Sequence, residues 1–243
     1  MNTLRLTNPH SILAALQHRP EDVLEIHANP AKANDAWQAV IELAKPHRIP
    51  VRQPLPPSSR GKKPSRDGGR IGTTFAVVKE KPGVSLEALL STGVSRGLWI
   101  ALDHIQDPHN VGAIFRAASF FGIQGIITTI DRSAPLTATV YDVASGGLED
   151  VPFVLQTNLS NAIEAAKKQG LWVLGTSEHA EQSMRDVDRD RKWLLVLGNE
   201  EKGIRQLTEK RCDEVCAIPS QGAVTSLNVS VAAGVLMSSL VQP

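Results

Sequence analysis

The sequence predicts an α/β fold, and three observations support this prediction. From Leu98 onward, short apolar segments alternate with longer segments whose apolar residues recur at helical spacing. Some short segments, such as Leu194–Leu197, are apolar at every position, which is typical of strands in a parallel sheet covered on both faces. Hydrophobic residues make up 42% of the 243 residues, enough for a substantial core. We therefore expect a parallel sheet between layers of helices.

Composition divides the chain into two expected domains. Residues 1–80 are predicted to form a small α/β domain, residues 81–94 a linker, and residues 95–243 the larger α/β domain. The elements expected before residue 95 are a helix over His10–Gln17, a strand over Val23–His27, a helix over Asp35–Ala44, a strand over Ile71–Lys79 and a short helix over Leu86–Leu90.

The larger domain is expected to alternate strands and helices. The predicted strands are Leu98–Leu102, Gly125–Thr129, Val151–Leu155, Trp172–Gly175, Trp193–Leu197 and Val215–Ile218. The predicted helices are Val111–Phe121, Leu159–Gln169, a short one near Gly203–Thr208, and Leu227–Leu240.

A basic loop over residues 54–72, rich in proline and glycine, interrupts the first domain. It holds one acid, Asp67, and five bases: Arg60, Lys62, Lys63, Arg66 and Arg70. The whole chain has a net charge of only +1, so any nucleic-acid footprint must be local. Phosphate contacts and a solvated, flexible loop are both open interpretations of this segment.

Several classes of protein are disfavoured. Cys212 and Cys216 lack a companion His or Cys cluster, so we expect reduced thiols of a cytoplasmic protein. The N-terminus lacks the pattern of a signal peptide, and no segment reaches the roughly 18 apolar residues of a membrane span. His104 and His109 lie near acids, but no third ligand is evident, so we expect no metal.

Four loops follow predicted strands at the edge where open α/β sheets bind ligands: Asp103–Asn110, Gly175–His179, Gly198–Gly203 and Pro219–Thr225. None carries the dinucleotide fingerprint or the serine-hydrolase elbow. The glycines of Gly198–Gly203 are spaced as in a phosphate loop, but Ile204-Arg205 stands where that loop needs Lys-Ser/Thr.

The closing helix is apolar on nearly every side, yet it opens with Ser226 and Asn228. Such a helix is normally buried, and polar groups at its mouth need partners, for which a ligand is one candidate. In Val111–Phe121, Arg116 points away from the apolar stripe and Asn110 stands at the start. Taken alone, these two residues read as a solvated Arg and a capping Asn.

Three motifs in order make the chain resemble the SpoU (TrmH) family of RNA methyltransferases. They are Asp107–Ala118, Gly198–Gly203, and Ile218-Pro219 with Ser226–Ala232. Asp131–Pro135 and Val143–Gly147 resemble the bacterial branch that modifies a guanosine of large-subunit (23S) ribosomal RNA. Residues 1–80 resemble, more faintly, that branch's RNA-binding domain.

The resemblance implies a parallel sheet with a C-terminal trefoil knot, an exception to the usual absence of knots. It also implies transfer of a methyl group from S-adenosylmethionine to a ribose 2′-hydroxyl. The positions that the family's motifs assign to the cofactor are Gly175, Thr176, Gly198, Ile218, Pro219, Ser226, Leu227 and Asn228.

Arg116 is the central catalytic residue that the resemblance implies. Asn110, Glu200, Ser226 and Asn228 would hold Arg116 and the substrate, although Glu200 could equally be a structural partner of an arginine. Arg132 and Ser145 would line the RNA channel. An arginine normally stays protonated, so we expect Arg116 to bind phosphate and stabilise negative charge; whether it also takes the proton is left open.

The family implies a homodimer, whereas packing within the chain would equally explain the apolar closing helix. A transfer-RNA enzyme of the same family and a non-catalytic RNA-binding or ribosome-assembly factor are the alternative functions. The sequence does not identify the modified nucleotide, or whether the substrate is naked RNA or an assembling particle.

Overall fold

The structure is a computed structural model that describes residues 2–54, 74–91, 93–199 and 202–241. Its strands are β1 (Thr3–Leu6), β2 (Val23–His27), β3 (Val51–Arg52), β4 (Phe75–Lys79), β5 (Gly97–Asp103), β6 (Gly125–Thr129), β7 (Phe153–Gln156), β8 (Trp172–Thr176), β9 (Gln182–Ser183), β10 (Lys192–Gly198) and β11 (Glu214–Ala217). Its α-helices are α1 (Pro9–His18), α2 (Asp35–Ala44), α3 (Leu86–Leu90), α4 (Pro108–Phe120), α5 (Ala138–Ala144), α6 (Gly147–Asp150), α7 (Leu159–Lys168), α8 (Gln206–Glu209) and α9 (Val229–Val241).

Contacts divide the chain into two compact units. Residues 1–82 and 136–150 form the first unit, and residues 83–135 and 151–243 form the second. The expected larger domain thus contributes one internal segment, 136–150, to the first unit.

The first unit contains a four-stranded sheet in the order β1-β4-β2-β3. Asn8 begins α1 by accepting a hydrogen bond from the His10 backbone N–H through its side chain. Asn34 caps α2 in the same way, by accepting from the Trp37 N–H. Leu6, Ile12 and Ile26 are fully buried in the core of this unit.

Segment 136–150 is held in the first unit by polar contacts as well as by packing. The Arg19 guanidinium donates Nε and Nη2 to the two carboxylate oxygens of Glu149 at 2.8 and 2.7 Å, and both residues are buried. The Asp142 carboxylate accepts hydrogen bonds from the backbone N–H groups of Thr7 and Asn8. Removing one partner of a buried ion pair typically costs about 3–5 kcal/mol, so this segment is integral to the unit.

The second unit contains a seven-stranded sheet in the order β7-β6-β5-β10-β8-β11-β9. Every pairing between these described strands is parallel. The predicted α/β fold with a parallel sheet is therefore confirmed. The elements missed by sequence are β1, β3, β9, α5 and α6.

Helices cover both faces of this sheet. Trp99 and Ala101 of β5 face a core that includes residues of α3 and α7. Side chains alternate along a strand, so Ile100 and Leu102, which are also fully buried, face the opposite side. Helix α9 contacts β5 and β10 and packs against α4. This packing brings the N-terminal ends of α4 and α9 close together.

Tyr141, the sole tyrosine of the chain, gives a test of the packing of segment 136–150. Its hydroxyl accepts a hydrogen bond from the Lys81 backbone N–H at 2.8 Å, and burial raises its pKa from 10.0 to about 12. The folded state holds this proton more tightly than the unfolded chain does. The resulting stability, about 2–3 kcal/mol at most, is present below about pH 10 and is lost as the pH rises through about 12.

Phenolate absorbance near 295 nm should therefore show a native titration close to pH 12 and a denatured one close to pH 10. Tyr141→Phe should remove this signal. The thiols of Cys212 and Cys216 titrate in the same pH range, because burial raises their pKa values to about 12 and about 11, so the variant shows that the signal is not theirs. A native phenolate titration near pH 10 would contradict the described burial.

Candidate active site

The candidate site lies where four neighbouring strands end. Strands β5, β10, β8 and β11 are adjacent and parallel, so their carboxyl ends meet at one edge of the sheet. The register sets Gly198 of β10 beside Asp103 of β5, and Cys216 of β11 beside Thr176 of β8. The loops predicted to bind a ligand leave from this edge.

One hydrogen bond joins the first and third family motifs. The Asn228 side-chain amide donates from Nδ2 to Oδ1 of Asn110 at 3.0 Å. Asn228 Oδ1 in turn accepts from the Ser230 backbone N–H at 2.9 Å, so Asn228 also caps α9. Asn110 is buried at the start of α4. The structure thus brings together two residues that the sequence singled out separately.

The loop from Ile218 to Asn228 presents its polar and apolar groups to solvent. Pro219, Ser226 and Leu227 are exposed, and Ile218 is half-buried. Val224 and Leu227 are 74% and 51% exposed, an arrangement that leaves apolar surface open beside the sheet edge. Exposed apolar side chains next to backbone donors and acceptors are suited to an aromatic ring such as adenine.

The second motif forms a tight turn after β10. Asn199 and Gly203 exchange backbone hydrogen bonds at 3.0 and 2.9 Å. The Asn199 side chain donates from Nδ2 to the His104 carbonyl at 3.0 Å, which ties this turn to the loop after β5. At Gly198, a Cβ would lie only 2.2 Å from the Gly203 carbonyl carbon. Only glycine fits at this position.

The end of β8 is also tightly packed. A Cβ on Gly175 would lie 2.9 Å from Cys212 Sγ. The Thr176 hydroxyl donates to the Val196 carbonyl at 3.0 Å, which fixes the orientation of this side chain. The raised thiol pKa values of Cys212 and Cys216, caused by burial, keep both thiols protonated at neutral pH. Neither cysteine is therefore a ready nucleophile.

Sequence reasoning missed an ion pair at this edge. The carboxylate of Asp103, which is 0% exposed, accepts from the Arg205 backbone N–H at 3.2 Å and from its Nε at 2.7 Å. A buried carboxylate at a strand end needs such a partner. The position of Asp103 directly after an apolar segment indicated that this carboxylate would need a partner, but the sequence alone did not identify Arg205 as that partner.

Of the remaining predicted site residues, the structure describes three: Arg116, Arg132 and Ser145. Arg116 lies on the exposed face of α4 and forms no hydrogen bond or ion pair with the described residues. Arg132 is exposed in the loop after β6, in a left-handed backbone conformation. Ser145 belongs to the first unit, where its hydroxyl accepts a hydrogen bond from Asn8 Nδ2 at 2.8 Å. Glu200 and the basic residues Arg60, Lys62, Lys63, Arg66 and Arg70 lie outside the described residues.

The described part of the chain contains no group of three or more His, Cys, Asp or Glu side chains that could hold a metal ion. None of its helices is long and apolar enough to cross a membrane.

Comparison with known proteins identifies the class to which this fold and site belong. The SpoU rRNA Methylase family matches residues 97–238. A 23S rRNA (guanosine-2′-O-)-methyltransferase RlmB of Pseudomonas aeruginosa is 38% identical over 234 residues, which cover 94% of this chain and 92% of that protein. The corresponding protein of Bordetella pertussis is 34% identical, covering 97% of this chain and 96% of its own. The chain belongs to the SpoU rRNA methylase family, as its three motifs predicted.

Solved structures agree on the fold. The SpoU methyltransferase AviRb from Streptomyces viridochromogenes, in complex with the cofactor AdoMet, gives a TM-score of 0.78 at 23% identity. The match covers 98% of this chain and 89% of that one. A putative RNA methyltransferase of the TrmH family from Porphyromonas gingivalis gives a TM-score of 0.74 at 25% identity, covering 98% and 89%.

Gly198→Ala tests the tight turn after β10. The added methyl group would overlap backbone atoms of Gly203 and Ile204, which cannot move aside as a side chain can. We expect the free energy of unfolding to fall by about 1–3 kcal/mol or more, measured by urea denaturation. Gly222→Ala is the matched control, because a Cβ there meets nothing within 4 Å. Equal stability of the two variants would contradict the described turn.

Proposed function

We propose that this protein transfers a methyl group from S-adenosylmethionine to the ribose 2′-hydroxyl of a guanosine in 23S ribosomal RNA. The hydrogen bond between Asn110 and Asn228 carries the proposal, because it assembles the first and third motifs into one site. The substrate follows from the printed names of relatives that align with nearly the whole chain. The S-adenosylmethionine-bound structure of AviRb supports the cofactor through the shared fold.

The cofactor would lie at the carboxyl edge of β8, β10 and β11. The residues that would hold it are Gly175, Thr176, Gly198, Ile218, Pro219, Ser226, Leu227 and Asn228. The exposed loop Ile218–Asn228 fits such a ligand, because Val224 and Leu227 offer apolar surface and the backbone offers donors and acceptors. We further propose that this loop and α9 form the trefoil knot typical of the family. When bound, the cofactor supplies a methyl carbon already activated by its sulfonium.

The protein must then position the ribose oxygen and support the loss of its proton. Arg116 is exposed on α4 and has no acid partner among the described residues, so its guanidinium is available for the substrate phosphate. A guanidinium also stabilises negative charge as it develops on the 2′-oxygen. Asn110, Glu200, Ser226 and Asn228 would orient Arg116 and the ribose.

The first unit would bind the RNA substrate. We propose residues 1–80, which fold together with segment 136–150, as the RNA-binding domain, 81–94 as the linker, and the rest of 95–243 as the catalytic domain. The basic residues of 54–72, together with Arg132 and Ser145, would contact the RNA. Ribosomal RNA as substrate is consistent with a cytoplasmic protein.

We also propose that the protein acts as a homodimer through α9. Leu227, Val231 and Val235 recur every four residues and are 51%, 53% and 38% exposed. An exposed apolar stripe of this kind marks an interaction surface.

Methyl transfer is tested with labelled S-adenosylmethionine and purified 23S ribosomal RNA, with transfer RNA as a parallel substrate. Label in 23S ribosomal RNA at a guanosine 2′-oxygen supports the proposal. Label confined to transfer RNA would assign the protein to the other substrate class. Binding of RNA without any label would make it a non-catalytic factor.

Arg116→Ala should lower the rate of methyl transfer at least about 100-fold, because it removes the cation that stabilises the developing charge. Cofactor affinity, measured by calorimetry, should stay nearly unchanged. Arg189→Ala removes another exposed arginine, one that precedes β10 at the opposite edge of the sheet, and should transfer methyl groups normally. Lost cofactor binding in Arg116→Ala would refute this division of roles.

Val231→Glu should convert the protein from a dimer to a monomer in light scattering coupled to size exclusion, because it buries a charge in the apolar contact. Leu207→Glu, on the exposed side of α8, is the control and should remain dimeric. A monomeric unaltered protein would overturn the dimer proposal.

A further inference from the structure

Three basic residues follow strands that end at the same edge of the sheet, beside the site already described. They are His104, which follows β5, Arg132, which follows β6, and Arg205, which follows the turn after β10. The proposed catalytic and cofactor-binding roles use neither His104 nor Arg205. The contacts around them suggest a role beyond structure.

Arg205 is held by its backbone N–H and its Nε, while its side chain remains partly exposed. Its backbone N–H and Nε both donate to the buried Asp103 carboxylate, at 3.2 and 2.7 Å. Its side chain nevertheless remains 44% exposed. A guanidinium has five N–H donors in a planar fork, so the donors that Asp103 does not engage are held in a fixed direction.

His104 and Arg132 both have backbone angles that residues other than glycine rarely adopt. Their φ values are 63° and 56°. The loop holding His104 is fixed from two sides: Asn199 Nδ2 donates to the His104 carbonyl at 3.0 Å, and the Ala134 N–H donates to the Ile105 carbonyl at 2.9 Å. Left-handed conformations cost about 1–3 kcal/mol each, and they are found preferentially at functional sites.

Hydrogen bonds bring the three segments together: Ile105, next to His104, accepts from the N–H of Ala134, two residues beyond Arg132, and Asp103 accepts from Arg205. Burial lowers the pKa of His104, and Arg205 and Arg132 lower it further, against the opposing effects of Asp103 and Asp131. A lowered pKa favours the neutral imidazole. Arg132 is exposed and forms no ion pair with any acid among the described residues.

We propose that Arg132, His104 and Arg205 together bind one backbone phosphate of the RNA substrate. This inference rests on the proposed function, and it adds a phosphate subsite that Arg116 does not fill. Two guanidinium forks and an imidazole N–H can donate to the oxygens of a single phosphate. The charge of that phosphate also favours protonation of His104, so RNA binding takes up a proton at this site.

The test is equilibrium binding of a 23S ribosomal RNA transcript across a range of salt concentrations. Arg132→Gln and His104→Gln should each weaken binding, Arg132→Gln by roughly tenfold. The slope of log affinity against log salt should fall by about one in Arg132→Gln. In the double variant that combines Arg132→Gln with His104→Gln, the slope of log affinity against log salt should fall no further, because both residues hold the same phosphate. Arg189→Gln, with the same charge change at the opposite edge of the sheet, is the control and should bind as the unaltered protein does.

Arg205→Lys keeps a cation for the buried Asp103 but removes the fork, so it should fold normally and also weaken RNA binding. NMR titration of His104 checks the geometry without RNA: Arg132→Gln should raise the pKa of His104 by removing a nearby cation. An unchanged His104 titration would overturn the inference.

The outcomes separate this inference from the proposed function. If the unaltered protein methylates 23S ribosomal RNA but Arg132→Gln binds RNA with unchanged affinity and slope, the phosphate subsite is wrong and the function stands. If Arg132→Gln weakens S-adenosylmethionine binding instead, the cluster holds the cofactor carboxylate, and the inference is again wrong. If the unaltered protein methylates no RNA, the proposed function fails.

Discussion

The parallel pairing of β10 with β5 on one side and β8 on the other is the constraint on which the site depends. It sets Gly198 beside Asp103 and directs the chain after each strand to one edge. Helices α4 and α9 then start from loops at that edge. Asn110 and Asn228, which are 118 residues apart in sequence, can meet only because this register is kept.

Much of the larger unit could be predicted because its strands are almost uninterrupted apolar runs. The predicted bounds of Gly125–Thr129 coincide with those of β6, and in the first unit those of Asp35–Ala44 coincide with those of α2. The missed elements have weaker local signals. Strands β1 and β3 are short and half-exposed, and α5 and α6 flank Ser145 and Gly146, whose left-handed conformations interrupt any helical pattern. Helices α5 and α6 pack against α1, which is distant from them in sequence.

The site was predictable in its residue types but not in its contacts. Asn110 and Asn228 stood out as polar residues at the ends of apolar helices, yet nothing local shows that they bond to each other. Asp103 and Arg205 are 102 residues apart, so their ion pair follows only from the strand order. The resemblance assigned Ser145 to the RNA channel, which stays a prediction, but nothing in the sequence showed that its hydroxyl accepts a hydrogen bond from Asn8.

The return of residues 136–150 to the first unit has a consequence for how this protein can evolve and be engineered. The backbone passes between the two units at three places, near residues 82, 135 and 150. A single proteolytic cut after residue 82 would leave the units covalently joined. A recombination event that exchanges only residues 1–82 would leave the buried Glu149 carboxylate without its partner wherever the incoming segment lacks Arg19. The first unit is therefore inherited as two separated stretches of gene that must change together.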